Sequence, residues 1–393
     1  MQLGLTREGT RVWKFRDSLD VGLWNVFWNY ARRVRSVEAC NGLYAPEVIH
    51  DLTYQLERSS SGPSLLPNLR ALSLRVLADD RHLIEGMPII TTRLRTLQMS
   101  TELNVSPSTV QRLIEHFTAI PLDQLTEIEF SRRGRINSDA SLSLHRATFL
   151  QQNRSTLTYL NLSIFPLASE DLVQLGGFPI ITRLTLVQKG MATELCTFFD
   201  VIASSFPHLR SIDITADDVI RSAVSIRVIE SLAICRDLCS IYLSSHWWEL
   251  LTGEDVRQFG TWWPLMEEFS LYETRPHSEY LVGTPLGILQ DFAQAWSQTL
   301  RKVILRFDTQ APLPNPSSIQ TKLNSLETLW VGSSPLREPD VKGVVEFLKA
   351  LCQGPVNVVS FYGRGGNSGY RWRVVNEEVN ATSTVQSDDQ TTV

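Results

Sequence analysis

No stretch of this sequence approaches eighteen uninterrupted apolar residues, so a membrane-spanning helix is not expected. The opening residues, MQLGLTREGTRVWKFRDSLD, carry charges throughout and lack the apolar run of a secretory signal. Basic residues are not in excess either. The 37 Lys and Arg stand against 42 Asp and Glu, a formal net charge of -5, which argues against nucleic acid as the main partner. The five cysteines (Cys40, Cys196, Cys235, Cys239, Cys352) are odd in number and scattered. They read as reduced thiols rather than a disulfide framework, and the expected location is the cytoplasm, the nucleus or both.

Motifs that carry chemistry are equally sparse. The seven histidines never pair at metal-ligand spacing, and three residues separate Cys235 from Cys239 where a Cys-x-x-Cys site has two, so no metal is expected. There is no Gly-x-Ser-x-Gly elbow, and nothing nominates a catalytic residue or a cofactor site. The one glycine-rich loop, GRGGNSG from Gly363 to Gly369, would cradle a phosphate only if a helix followed it. The alternation of Tyr370, Trp372 and Val374 reads instead as a strand, so residues 363–380 are expected to form a capping β-hairpin. SRRGR, Ser131 to Arg135, reads as a solvated basic loop, and the polar tail 381–393 as disordered.

What the chain does have is one pattern many times over: an apolar residue, two others, an apolar residue, one other, an apolar residue. It occurs at Leu69, Leu72, Leu74; Leu94, Leu97, Met99; Leu125, Ile128, Phe130; Leu157, Leu160, Leu162; Ile181, Leu184, Leu186; and Leu209, Ile212, Ile214. It continues at Leu238, Ile241, Leu243; Met266, Phe269, Leu271; Leu300, Val303, Leu305; Leu326, Leu329, Val331; and Val356, Val359, Phe361, with a weaker copy at Val34, Val37, Ala39. The period averages about 29 residues, within the leucine-rich-repeat range. Alternate strand residues point to opposite faces, so the last two apolar positions of each unit share one interior. Helical segments such as ATELCTFFDVIASSF and PDVKGVVEFLKALC lie between the strands, and Ser106 with Pro107 is a start signal for another. One such unit cannot bury its apolar face alone, and stacking supplies the core.

The expected fold is therefore an α/β leucine-rich-repeat solenoid, an irregular arc with a parallel sheet on the concave face and helices on the convex face. An N-terminal helix and capping region is expected over 1–40, with Trp24, Phe27, Trp28 and Ala31 on one face, and about eleven repeats over 41–362. The Asn or Cys ladder of many such repeats is missing, since its positions hold Leu77, Glu102, Arg133 and Phe165. Trp247, Trp248, Trp262 and Trp263 read as packing residues.

FWNYARRVRSVEA, LLPNLRALSL, FGTWWPLMEEFSL and NSLETLWVGSSPL with DVKGVVEFLKAL resemble the repeat region of the basidiomycete fungal F-box/leucine-rich-repeat proteins, from about residue 24 to 375. The resemblance implies a substrate receptor of a cullin-based ubiquitin ligase, in which an F-box binds a Skp-type linker. The nearest match to an F-box, YAPEVIHDLTYQL from Tyr44, has Pro46 and Glu47 adjacent instead of separated by one residue. It reads as the helix of an early repeat, so Skp-type linker and cullin are expected partners only if an F-box lies upstream. A Ran-type GTPase-activating protein or another leucine-rich-repeat scaffold is the alternative.

Residues flanking the inward leucines would face a protein client on the concave side. Tyr, Trp and Arg dominate binding hot spots and concentrate in the later repeats. The expected protein-binding residues are Tyr242, Glu268, Tyr272, Lys302, Arg306, Trp330 and Tyr362.

Overall fold

The structure, a computed structural model, describes residues 2–5, 11–14, 21–40, 65–76, 91–101, 114–115, 117–132, 143–189, 194–216, 224–245, 248–273, 283–360 and 367–381. The chain is α/β and divides into two compact units, 1–187 and 188–393. No helix among the described residues is long and apolar enough to cross a membrane.

The first unit opens with an antiparallel pair, β1 (Gln2–Leu5) and β2 (Arg11–Lys14), and helix α1 (Val21–Ala31). Its sheet then runs in sequence order through β3 (Ser36–Cys40), β4 (Ala71–Val76), β5 (Thr96–Thr101), β6 (Glu127–Arg132), β7 (Tyr159–Leu167) and β8 (Arg183–Gln188). The parallel register aligns Val37, Leu72, Leu97, Ile128 and Leu160 side by side. The weak first copy is thus a full strand. Helices α2 (Ser143–Gln152) and α3 (Ser169–Leu175) lie on either side of β7 in the chain. Phe149 of α2 packs on Phe130 of β6 with ring centroids 6.4 Å apart, so the helix covers the apolar side of the strands. In α1, Ala31 is buried, while Phe27 and Trp28 are half-buried and meet edge to face at 5.6 Å.

A backbone ladder joins the turns that lead into the strands. The carbonyl of the residue before each strand accepts two amides of the next repeat: Arg35 O from Arg70 N at 2.8 Å and Ala71 N at 3.0 Å, and Arg70 O from Arg95 N at 2.7 Å and Thr96 N at 3.0 Å. Three threonine hydroxyls reinforce it, Thr126 to Arg95 O, Thr158 to Thr126 O and Thr182 to Thr158 O, at 3.1 to 3.3 Å. The turn carbonyls are thereby paired with the backbone of the next repeat.

The second unit repeats the plan with β9 (Ser211–Ala216), β10 (Ser240–Ser245) and β11 (Glu268–Glu273), followed by a short parallel pair, β12 (Thr284–Pro285) with β14 (Phe307–Asp308). β13 (Lys302–Ile304), β15 (Thr328–Gly332) and β16 (Asn357–Ser360) complete its sheet. Ile212, Ile241, Phe269, Val303 and Leu329 share one row. Helices α4 (Leu195–Ser205), α5 (Gly253–Trp262), α6 (Leu289–Trp296) and α7 (Val341–Leu351) return the chain. Thr252 caps α5, taking the Asp255 amide at 3.2 Å while the Asp255 carboxylate takes the Thr252 amide at 2.9 Å. Trp263 is fully buried and its indole N–H donates to Leu232 O at 3.1 Å; Trp296 in turn donates to Trp263 O at 2.8 Å. These tryptophans tie consecutive repeats through packing and one directed bond each.

Two expectations need correction. Residues 367–380 form helix α8 (Asn367–Asn380), not a hairpin. Trp372, Val375 and Val379 recur at helical spacing and are buried, and this face outweighs the local alternation that suggested a strand. The helix does the work expected of the hairpin: Asn376 Oδ1 accepts the Val358 amide at 2.7 Å, Asn380 Oδ1 accepts the Val356 amide at 3.1 Å, and Asn380 Nδ2 donates to Val356 O at 3.0 Å. It thus occupies the open edge of the last strand. Second, β16 pairs Leu329 with Val358 instead of Val359, so the last copy is one residue shorter than the pattern and buries Val356 and Val358. The start signal at Ser106, the segment from Tyr44, and Tyr362 lie outside the described residues.

Candidate functional site

Register decides which side chains share the strand face opposite the leucine core. In the first unit Ser73, Gln98, Glu129 and Asn161 form one row, and Ala71, Thr96, Glu127 and Tyr159 another. This face is polar and answers its own groups. Gln98 donates to Glu129 and Thr96 to Glu127, each at 3.3 Å; Arg183 pairs with Glu127 at 3.3 Å and lies 4.6 Å from the centre of the Tyr159 ring.

The second unit differs. Asp213, Tyr242, Ser270, Ile304 and Trp330 stand in one row across β9, β10, β11, β13 and β15. Tyr272, two residues beyond Ser270, brings the row's aromatic ends together: its ring stacks on Tyr242 with centroids 6.2 Å apart and meets Trp330 nearly at right angles at 6.5 Å. Each such pair contributes about 0.5–1.5 kcal/mol beyond burial of area. Between Tyr242 and Trp330, Ser270 and Ile304 are 3% and 4% exposed, although they sit on the outward side of their strands. The three half-buried aromatics make a continuous apolar platform on a face that is polar elsewhere.

The platform encloses polar groups with nothing to bond. Ser270 Oγ and Trp330 Nε1 are both buried and have no hydrogen-bond partner within the described protein. A buried polar group left unpaired costs about 1–3 kcal/mol, so two at one spot on the surface is a concentrated expense of stability. Electrostatics adds to it. Burial raises the Asp213 carboxyl from 3.8 to about 6, and the Tyr242 hydroxyl is pushed up to about 12 by burial, then by the Asp213 charge and by Tyr272. At the margin, Lys302 and Glu268 pair across neighbouring strands at 3.7 Å. Both are well exposed, so the pair is worth about 0–1 kcal/mol and serves as a rim.

Of the residues expected to bind a client, Tyr242, Tyr272 and Trp330 converge, and Glu268 with Lys302 flanks them. Arg306 is half-buried beyond the end of β13, where its carbonyl takes the Thr284 amide at 3.0 Å. Asp213, Ser270 and Ile304 belong to the cluster as well; the sequence places them on the same outward face but outside the expected binding set. Their signal was positional only, one outward slot in each of three repeats. Among the described residues no three His, Cys, Asp or Glu side chains converge as metal ligands.

No family model matches the chain, and no curated protein matches it. Among solved structures it is similar to a chain in the crystal structure of the Rad7 and Elc1 complex in yeast. The identity is 12% and the TM-score 0.47, over 86% of this chain and 79% of that one.

Proposed function

We propose that the protein is a recognition module that binds a protein client on the strand face of residues 188–393, acting by display of a fixed surface rather than by catalysis. The observation that carries this is the Tyr242, Tyr272 and Trp330 platform with the unpartnered Ser270 hydroxyl and Trp330 indole N–H beneath it. Rigid aromatic area is what the centre of a protein interface uses, and a charged pair at the margin matches an interface rim. A peptide library displayed on phage and panned against the purified chain tests it. Selected ligands should lose at least tenfold in affinity for Tyr272→Ala and Trp330→Ala; undiminished binding by both variants would overturn the assignment.

The finer reading is a client receptor of a cullin-based ubiquitin ligase, acting in the cytoplasm or nucleus. It is supported by the likeness of FWNYARRVRSVEA, LLPNLRALSL and FGTWWPLMEEFSL to the fungal F-box/leucine-rich-repeat proteins. Retention of a purified Skp-type linker by the chain at equal stoichiometry supports the receptor reading. Absence of retention separates client binding from ubiquitination for this chain.

A further inference from the structure

The turns that lead into the first three strands of the sheet of residues 1–187 carry six arginines. Their sequences are ARRVRSV, PNLRALS and TTRLRTL, and they place Arg35, Arg70 and Arg95 immediately before β3, β4 and β5. The backbone ladder links these three directly, Arg70 N to Arg35 O at 2.8 Å and Arg95 N to Arg70 O at 2.7 Å. They therefore succeed one another at the strand spacing of about 4.8 Å. Arg32, Arg33 and Arg93 lie in the same turns, and all six are exposed.

Neutral groups, not carboxylates, hold the guanidinium groups of Arg33, Arg35 and Arg93. Asn68 is the bracket: its Nδ2 donates to Arg32 O at 2.8 Å and its Oδ1 accepts from Arg93 Nη1 at 2.7 Å. Arg35 Nη1 donates to Arg32 O at 3.1 Å, and the Arg33 guanidinium lies 6.0 Å from the centre of the exposed Tyr30 ring. Among the described residues none of the six forms an ion pair. Like charges on adjacent strands repel, so a ladder of unneutralised arginines opposes folding unless something else uses it. Guanidinium groups that no carboxylate neutralises are suited to bidentate capture of an anion.

We propose that this edge binds a short acidic segment of another protein, its carboxylates received by the arginine ladder. The patch is bounded: the next turn carries Asp123, Gln124 and Thr126, and the ladder continues through Thr158 and Thr182. Without the six arginines a chain of net charge -5 would carry -11, so a polyanion longer than the patch meets repulsion beyond it. That favours a short acidic peptide over nucleic acid. The proposal uses none of the residues of the aromatic platform, so either can fail without the other.

Fluorescence anisotropy with a labelled Asp/Glu-rich peptide of about twelve residues, titrated with the full chain, tests the proposal. Saturable binding that weakens between about 50 and 200 mM salt is expected. Affinity should fall at least tenfold in Arg70→Gln/Arg95→Gln, be partly kept in Arg70→Lys/Arg95→Lys, and be unchanged in Arg257→Gln, whose side chain lies on α5. Circular dichroism confirms folding of each variant. Arg93→Gln, which releases only the Asn68 contact, gives an independent several-fold loss if the double variant unfolds. Absence of saturable binding, equal binding by the Gln variants, or tighter binding of a single-stranded oligonucleotide of equal charge would each overturn it.

Discussion

Replacing Asp213 by Asn tests the electrostatics of the aromatic platform. Asn keeps the size and planar shape of the side chain and removes the charge. Burial lifts the carboxyl from 3.8 to about 6, so the folded protein holds this proton more tightly than the unfolded chain does. The ionised form therefore opposes folding. Stability tied to this group is greatest below 3.8, is lost as pH rises towards about 6, and stays level above that. The rise from 3.8 to about 6 corresponds to about 3 kcal/mol, and solvent access to a half-buried side chain trims it to about 2–3 kcal/mol. Asp213→Asn should thus be more stable than the parent by that amount at pH 7.5, with the advantage shrinking towards zero near pH 4. Urea denaturation of both proteins at the two pH values measures it, because other carboxylates cancel in the difference. An advantage independent of pH, or a less stable variant at pH 7.5, refutes the reasoning.

Three further outcomes follow from specific contacts. Trp330→Phe keeps the ring against Tyr272 and removes the unpartnered indole N–H. Thermal stability should hold or rise slightly, because a buried unpaired donor is removed, and a lower melting temperature by differential scanning calorimetry would contradict this. Asn380→Ala leaves the Val356 amide and carbonyl at the sheet edge without their side-chain partner, which should cost about 1–3 kcal/mol and speed amide exchange at Val356. Trp296→Phe removes one of two donors to the Trp263 carbonyl, which keeps the Met266 amide at 3.3 Å, and shrinks the side chain packed on Phe269, for a loss of about 1–3 kcal/mol in urea denaturation.

The repeat was legible because the core asks one thing of each strand, an apolar residue at every second position, and Leu72, Leu97 and Ile128 answer it identically. Once the register was set, Tyr242, Tyr272 and Trp330 had to face outward, so that part of the site could be read from sequence. What could not be read depends on neighbours distant in the chain. Val356 and Val358 shifted the last frame by one residue, because Val359 offered an equally apolar alternative. The Tyr370, Trp372, Val374 alternation competed with the Trp372, Val375, Val379 spacing, and contact of the helix with β16 decided between them. Ser270 and Ile304 are buried between Tyr242 and Trp330, on strands that only the folded sheet brings side by side. The arginine ladder was hidden by averaging: a net charge of -5 says nothing about three turns that stack.

The central claim, that the strand face of the second unit is where a client docks, is tested most directly by hydrogen–deuterium exchange of the full chain with and without a panned ligand. The account predicts protection concentrated in residues 240–245, 268–273 and 328–332. Protection elsewhere, with these three strands unchanged, would contradict it.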